Sequence, residues 1–156
     1  VNARSPLIQT TPDSNTFLGF DFGLKRIGVA VGQRVSSTAT SLTVLRAADG
    51  KPDWSEIEAL VREWSPAGFV LGIPRSMDGE ENDMTRATRR FGNDLSQRFG
   101  LTIHEVDERL SSIQAEGEFA EARRRGSVRR KDRKRLDAAA ARVILEDWLQ
   151  RTGTGK

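Results

Sequence analysis

The spacing of apolar and polar residues predicts five strands and three principal helices. FLGFDF, from Phe17 to Phe22, has strand character interrupted by one charge, Asp21, and Gly23 to Lys25 forms a tight turn. RIGVAVG and SLTVLR follow as strands two and three, which together with the first make an antiparallel meander. AADGKPD is a turn by its Asp-Gly and Pro content. Asp53 with Glu56 forms a capping-box signature before a helix whose apolar residues Trp54, Ile57, Leu60, Val61 and Trp64 recur at helical spacing. These tryptophans are expected in the core. Pro66 ends that helix, and FVLGI is apolar on both faces, as in a strand covered from both sides. PRSMDGEEN is a loop. Met84, Ala87, Phe91, Leu95 and Phe99 then line one stripe of a second helix that closes at Gly100. LTIHEVDER is the fifth strand, Ser111 or Ser112 caps a short helix through Phe119 and Ala120, and LDAAAARVILEDWL is the last helix.

This order implies an α/β fold with a mixed five-stranded sheet, a meander continued by α/β units and flanked by helices. Residues 1–16 read as a disordered polar lead, 17–150 as a single domain and 151–156 as a flexible tail. No segment is long and apolar enough to span a bilayer.

Composition narrows the chemistry. The chain has 156 residues, no cysteine, no tyrosine and a single histidine, His104. Thiolate nucleophiles and Cys-ligated zinc are excluded, and the absence of cysteine fits a reducing cytoplasm. Hydrolytic chemistry would have to run on carboxylates, hydroxyls, lysines, arginines and bound metal. The formal net charge of +3 conceals a concentrated block. Arg123, Arg124, Arg125, Arg129, Arg130, Lys131, Arg133, Lys134 and Arg135 stand against one acid, Asp132, which leaves the rest of the chain at about −5. Such a cluster is a solvated connection between helices or a mobile clamp for an anion, with nucleic acid as the leading partner.

Three acidic positions carry the candidate chemistry. If strand one alternates, Asp21 shares a face with Phe17 and Gly19, while Leu18, Phe20 and Phe22 take the other. It is either an Asx-type turn residue or a working carboxylate. Asp107 and Glu108 end the fifth strand and point to opposite faces, so one of them reaches a given site; as a pair they also fit solvated acids neutralised by Arg109. Asp137 heads the stripe Ala141, Ile144 and Trp148, which is expected to face the sheet. It also suits a helix cap or the positive end of the helix dipole. Together these acids, at two strand ends and one helix start, form the oxygen-only donor set that two Mg²⁺ or Mn²⁺ ions require for phosphodiester cleavage.

DFGLKRIGVAVG, LGIPRSMDG, VDERLSS and LDAAAARVILEDWL stand in the order and spacing of the YqgF family, and the resemblance spans about Phe17 to Leu149. These are bacterial Holliday-junction-resolvase-like proteins, to which processing of the 5′ end of the 16S ribosomal RNA precursor is ascribed. The resemblance implies a ribonuclease H-like fold. It also implies a metal site built from Asp21, Glu108 (or Asp107) and Asp137. Arg75 and Arg109 would face phosphate, and the turn at Gly23 with Lys25 and Arg26 would approach the substrate backbone. Leu24 stands where the family often has a small polar residue or Gly, and Ile73 where it has Leu.

Three function classes remain open on these residues: a nuclease acting on precursor ribosomal RNA or on branched DNA, a non-catalytic RNA-binding ribosome-assembly factor, and an actin-like or sugar-kinase ATPase. The last uses two such domains, and this chain is long enough for one.

Overall fold

The antiparallel meander forms as the alternation predicts and supplies half of a larger mixed sheet. The computed structural model describes residues 13–74, 79–107 and 130–153, with the backbone alone at 13, 14, 130–138 and 153. Its strands are β1 (Asp13–Asp21), β2 (Arg26–Gln33), β3 (Thr38–Ala48), β4 (Lys51–Pro52), β5 (Pro66–Ile73) and β6 (Thr102–Asp107), and its helices are α1 (Trp54–Trp64), α2 (Asp83–Phe99) and α3 (Arg130–Gly153). The sheet order is β4-β3-β2-β1-β5-β6. Pairing is antiparallel from β1 to β4 and parallel across β1, β5 and β6.

The sheet has six strands, one more than the pattern predicts. β4 is only two residues long and contains Pro52. It exists because Asp49 and Gly50 both take positive φ (52° and 79°), which closes a two-residue hairpin between Ala48 and Lys51. Proline lacks a backbone N–H and is tolerated there because the strand lies at the edge. β1 also starts earlier than expected, at Asp13, inside the stretch read as a disordered lead. Its polar beginning hides the strand, yet Thr16 pairs with Gln33, and Asn15 accepts the backbone N–H groups of Arg34 and Val35 at 2.7 Å each.

α1 and α2 cover one face of the sheet. Leu18 and Phe20 of β1 and Phe22 just beyond it join Ile57, Val61, Phe69, Leu71, Phe91 and Leu95 in that core, with Trp54 and Trp64 packed against it as expected. Asp53 caps α1 through the backbone N–H and hydroxyl of Ser55 (3.0 and 2.7 Å), and not through a reciprocal contact from Glu56. At α2 the capping box is real: Asn82 and Thr85 each accept the other's backbone N–H. The Thr85 hydroxyl also donates to the Pro74 carbonyl at 2.5 Å, tying the helix start to the end of β5.

Among the described residues α3 alone covers the other face, with Ala141, Ile144, Leu145 and Leu149 against Phe17, Ala30, Val70 and Val106. The stripe predicted from Asp137 is therefore the buried one. The helix begins at Arg130 and ends at Gly153, so it absorbs half of the basic block and the first residues of the expected tail. Arg and Lys are good helix formers, and neither Gly nor Pro interrupts residues 130–152. Asp137 consequently lies two turns inside the helix and is not its cap. The short helix expected after Ser111 lies outside the described residues. No helix among the described residues is long and apolar enough to cross a membrane.

Two contacts fix α3 along the sheet. The Arg34 guanidinium sits 4.9 Å from the ring centroids of both Phe17 and Trp148. Glu146 accepts the backbone N–H of Ala39 at 3.0 Å. His104 packs on Trp148 with centroids 4.6 Å apart, and burial together with the nearby Arg34 charge holds its pKa below the ordinary histidine value.

Between these contacts the helix backbone presses on Gly19. A Cβ there would meet the Leu145 Cβ at 2.7 Å and the Ala141 carbonyl oxygen at 3.3 Å. A Cβ cannot rotate away, so Gly19→Ala must displace α3. We expect a loss of about 1–3 kcal/mol, read as a lowered midpoint in thermal or urea denaturation. An unchanged midpoint would mean that α3 slides without cost.

Candidate active site at the carboxyl ends of the parallel strands

β1, β5 and β6 run parallel, and their carboxyl ends are the usual place for a ligand site in an open α/β sheet. Asp21 is the last residue of β1 and is half-buried. Phe17 lies in the α3-side core and Phe20 in the opposite one, so strand alternation puts Asp21 on the α3 face with Phe17 and Gly19. Its cross-strand partner on β2 is Gly28. On β5 its row is occupied by Gly72, one step beyond the Phe20–Leu71 pair. Glycine on both sides means that no neighbouring side chain crowds the Asp21 carboxylate from the sheet. The Gly72 row continues to Val106 of β6.

Asp107 is placed differently. It pairs with Ile73, in the line that carries Leu71 and Glu105, and Glu105 bonds Arg89 of α2 at 3.4 Å. That is the α2 side. Asp107 and Asp21 both make contacts within the protein, but they occupy opposite faces of the sheet. Glu108 lies outside the described residues, as do Arg75 and Arg109.

α3 runs antiparallel to β1. Trp148 packs on Phe17 with centroids 4.9 Å apart, and Ala141 and Leu145 sit over Gly19. Four helix residues advance about 6 Å and two strand residues about 6.6 Å. The register that matches one turn of α3 to two residues of β1 therefore carries the helix past Asp21, with the backbone at 137 within about one turn of its level.

Beyond Asp21 the chain turns at Gly23, where a Cβ would lie 2.6 Å from the Arg26 carbonyl oxygen; only glycine fits. The turn holds Lys25 exposed and Arg26 half-buried. It is braced by the β3–β4 hairpin, because Ala47 N–H donates to the Lys25 carbonyl at 2.9 Å and Gly50 N–H to the Leu24 carbonyl at 2.8 Å. Of the basic block, Arg130, Lys131, Arg133, Lys134 and Arg135 belong to the first turns of α3, while Arg123, Arg124, Arg125 and Arg129 lie outside the described residues.

Two further basic residues escape a strand-by-strand reading. Arg46 pairs with Arg26, and Lys51 with Ala48, two residues further along β3. Continuing the alternation across the hairpin would have put them on the Asp21 face.

The nominated donors are all carboxylates, which suit a hard divalent cation. The glycine-flanked position of Asp21 leaves room for one. Among the described residues no three acids or histidines gather as ligands. Of the four nominated acids only Asp21 and Asp107 have described side chains.

Comparison with known proteins agrees with this architecture. A family model described as "RuvX: Holliday junction resolvase" matches residues 15–151. A Klebsiella pneumoniae protein named "Putative pre-16S rRNA nuclease" is 47% identical over 139 residues, covering 89% of this chain and 99% of that protein. A Yersinia pseudotuberculosis protein of the same name is 47% identical over 136 residues, covering 87% and 95%. Among solved structures, Thermus thermophilus RuvC in complex with a Holliday junction substrate aligns over 91% of this chain and 98% of its own, with a TM-score of 0.55 and 16% identity. The yeast mitochondrial Holliday junction resolvase Ydc2 aligns over 93% and 82%, with a TM-score of 0.50 and 10% identity. These structures share the fold, which is the ribonuclease H-like arrangement of the resolvases. With a family model spanning almost the whole domain and near-half identity to full-length relatives, the chain belongs to the RuvX (YqgF) family of Holliday-junction-resolvase-like proteins.

Proposed function

We propose that the chain is a divalent-metal-dependent nuclease that cleaves phosphodiester bonds at the 5′ end of the 16S ribosomal RNA precursor, acting in the cytoplasm during ribosome biogenesis. The observation that carries the reading is Asp21. A half-buried carboxylate stands between two glycines at the carboxyl end of β1, on the face covered by α3. The names of the relatives supply the substrate.

In this reading Asp21, Glu108 and Asp137 hold Mg²⁺ or Mn²⁺. Support for Glu108 over Asp107 comes from alternation, which carried one residue past Asp107 would return to the side of Val106 and Asp21. Support for Asp137 comes from its place one turn before Ala141. The bound metal would supply hydroxide from water and charge stabilisation at the leaving oxygen. The protein's own groups position the strand. Lys25 and Arg26 meet phosphate at the Gly23 turn, and Arg75, Arg109 and the basic block are the further groups proposed to hold the flanking backbone.

A DNA-junction resolvase is the second reading, favoured by the description of the matching family. The two separate on substrate. A labelled RNA spanning the 5′ end of the 16S precursor is expected to be cut in Mn²⁺, and a four-way DNA junction of similar size to be cut far more slowly. Cutting of the junction alone would transfer the activity to branched DNA. Binding without cutting of either would leave an RNA-binding assembly factor.

A further inference from the structure

We infer that Arg46 and Lys51 extend the phosphate path from the metal-binding end of β1 across the sheet to its β4 edge; the inference rests on the nuclease reading above. In rows on the α3 face, Asp21 of β1 aligns with Gly28 of β2 and Val44 of β3. Two residues further out, Arg26 of β2 aligns with Arg46 of β3, and two beyond that, Ala48 of β3 aligns with Lys51 of β4. Three cations thus step diagonally away from the acid, one on each successive strand.

Like charges set directly opposite on neighbouring strands repel one another, and the Arg26–Arg46 pair is such a pair. The Arg46 and Lys51 side chains are exposed and make no hydrogen bond or ion pair among the described residues, whereas Arg26 has a contact within the protein. A phosphodiester backbone would give Arg46 the counter-charge that the facing arginine does not. From the strand spacing and rise, the Cα atoms of Arg46 and Asp21 are on the order of 12 Å apart. An arginine at that remove reaches a phosphate flanking the scissile one, not the reacting group. Arg46 and Lys51 are therefore positioning residues that set the direction of the strand.

The test is binding of a fluorescent single-stranded RNA, and in parallel of a four-way DNA junction, by the full chain in chelator. Chelation stops cleavage and leaves the electrostatic term. Wild type, Arg46→Gln, Lys51→Gln and the double variant are compared over a salt series. Each variant is expected to make the log–log salt slope shallower by about 0.7 on single-stranded RNA and by about 0.9 on duplex arms. The melting temperature and its rise with added Mn²⁺ should stay at the wild-type values. A double variant with the wild-type slope on both probes overturns the inference, and leaves Lys51 as a charge guarding an edge strand. If the wild type binds neither probe, the nuclease reading itself fails. A slope change in variants that still cut RNA more slowly than wild type supports both.

Discussion

Replacing Asp21 by Asn is expected to slow cleavage of the precursor RNA in Mn²⁺ by about a thousandfold, because metal-borne stabilisation of the transition state is worth several kcal/mol and each factor of ten is about 1.4 kcal/mol. Asn keeps the size of the side chain and one carbonyl oxygen but carries no charge, so it holds a divalent cation poorly. The fold should survive, since Asp21 sits at a strand end between two glycines and no packed core depends on its shape. A second measurement separates chemistry from folding. Ligand that binds only the native state raises stability, by about 2.7 kcal/mol at a hundred times its dissociation constant. The wild type should therefore melt at a higher temperature as Mn²⁺ is added, and Asp21→Asn should show little or none of that rise. Without metal the variant should lose only the small contribution of the contacts that Asp21 makes within the protein, a fall that added Mn²⁺ does not change. Equal cutting by both proteins would mean that the observed hydrolysis comes from another enzyme.

The side of the sheet on which Asp21 lies was legible from FLGFDF alone, because alternation is the strongest constraint on a strand with one face to bury. The α3 stripe was equally legible: four alanines and a period of three to four residues pointed Ala141, Ile144 and Trp148 inward, as they are. What the pattern could not supply was extent. DSNT before Phe17 has no alternation, and its pairing is set by Gln33 and by backbone bonds to the β2–β3 turn. Charge alone makes RRKDRKR a mobile clamp or a solvated connection, although its residues favour helix and continue α3 without a break. β4 is created by the φ angles of Asp49 and Gly50, and the sequence marked only the turn. The seat of the helix was also hidden. Gly19 and Gly32 look like ordinary strand glycines, yet a Cβ at either would lie 2.7 Å from a leucine of α3. That close approach is what sets the helix register, and through it the level of Asp137. Conversion of a strand pattern into a site thus depended on tertiary contacts of residues that carry no chemistry.

The same alternation makes a sharp division between two adjacent acids. Asp107 pairs with Ile73 and lies on the α2 side, in the line of Glu105 and its partner Arg89. A site on the α3 face cannot use it without a break in the strand, whereas alternation carried one residue further would return to the face of Val106 and Asp21. Glu108→Gln is therefore expected to cost about as much as Asp21→Asn, on the order of a thousandfold in rate, and to abolish the Mn²⁺-dependent rise in melting temperature. Asp107→Asn should keep cleavage within a few-fold of wild type and keep that rise. Any loss there should appear as a metal-independent fall in stability, since Asp107 is half-buried and has partners within the protein. The reverse outcome, with Asp107 essential and Glu108 dispensable, would require a bulge at the end of β6 that turns its last residue through the sheet. Measuring both variants on one RNA, with melting curves at several Mn²⁺ concentrations, distinguishes the two arrangements.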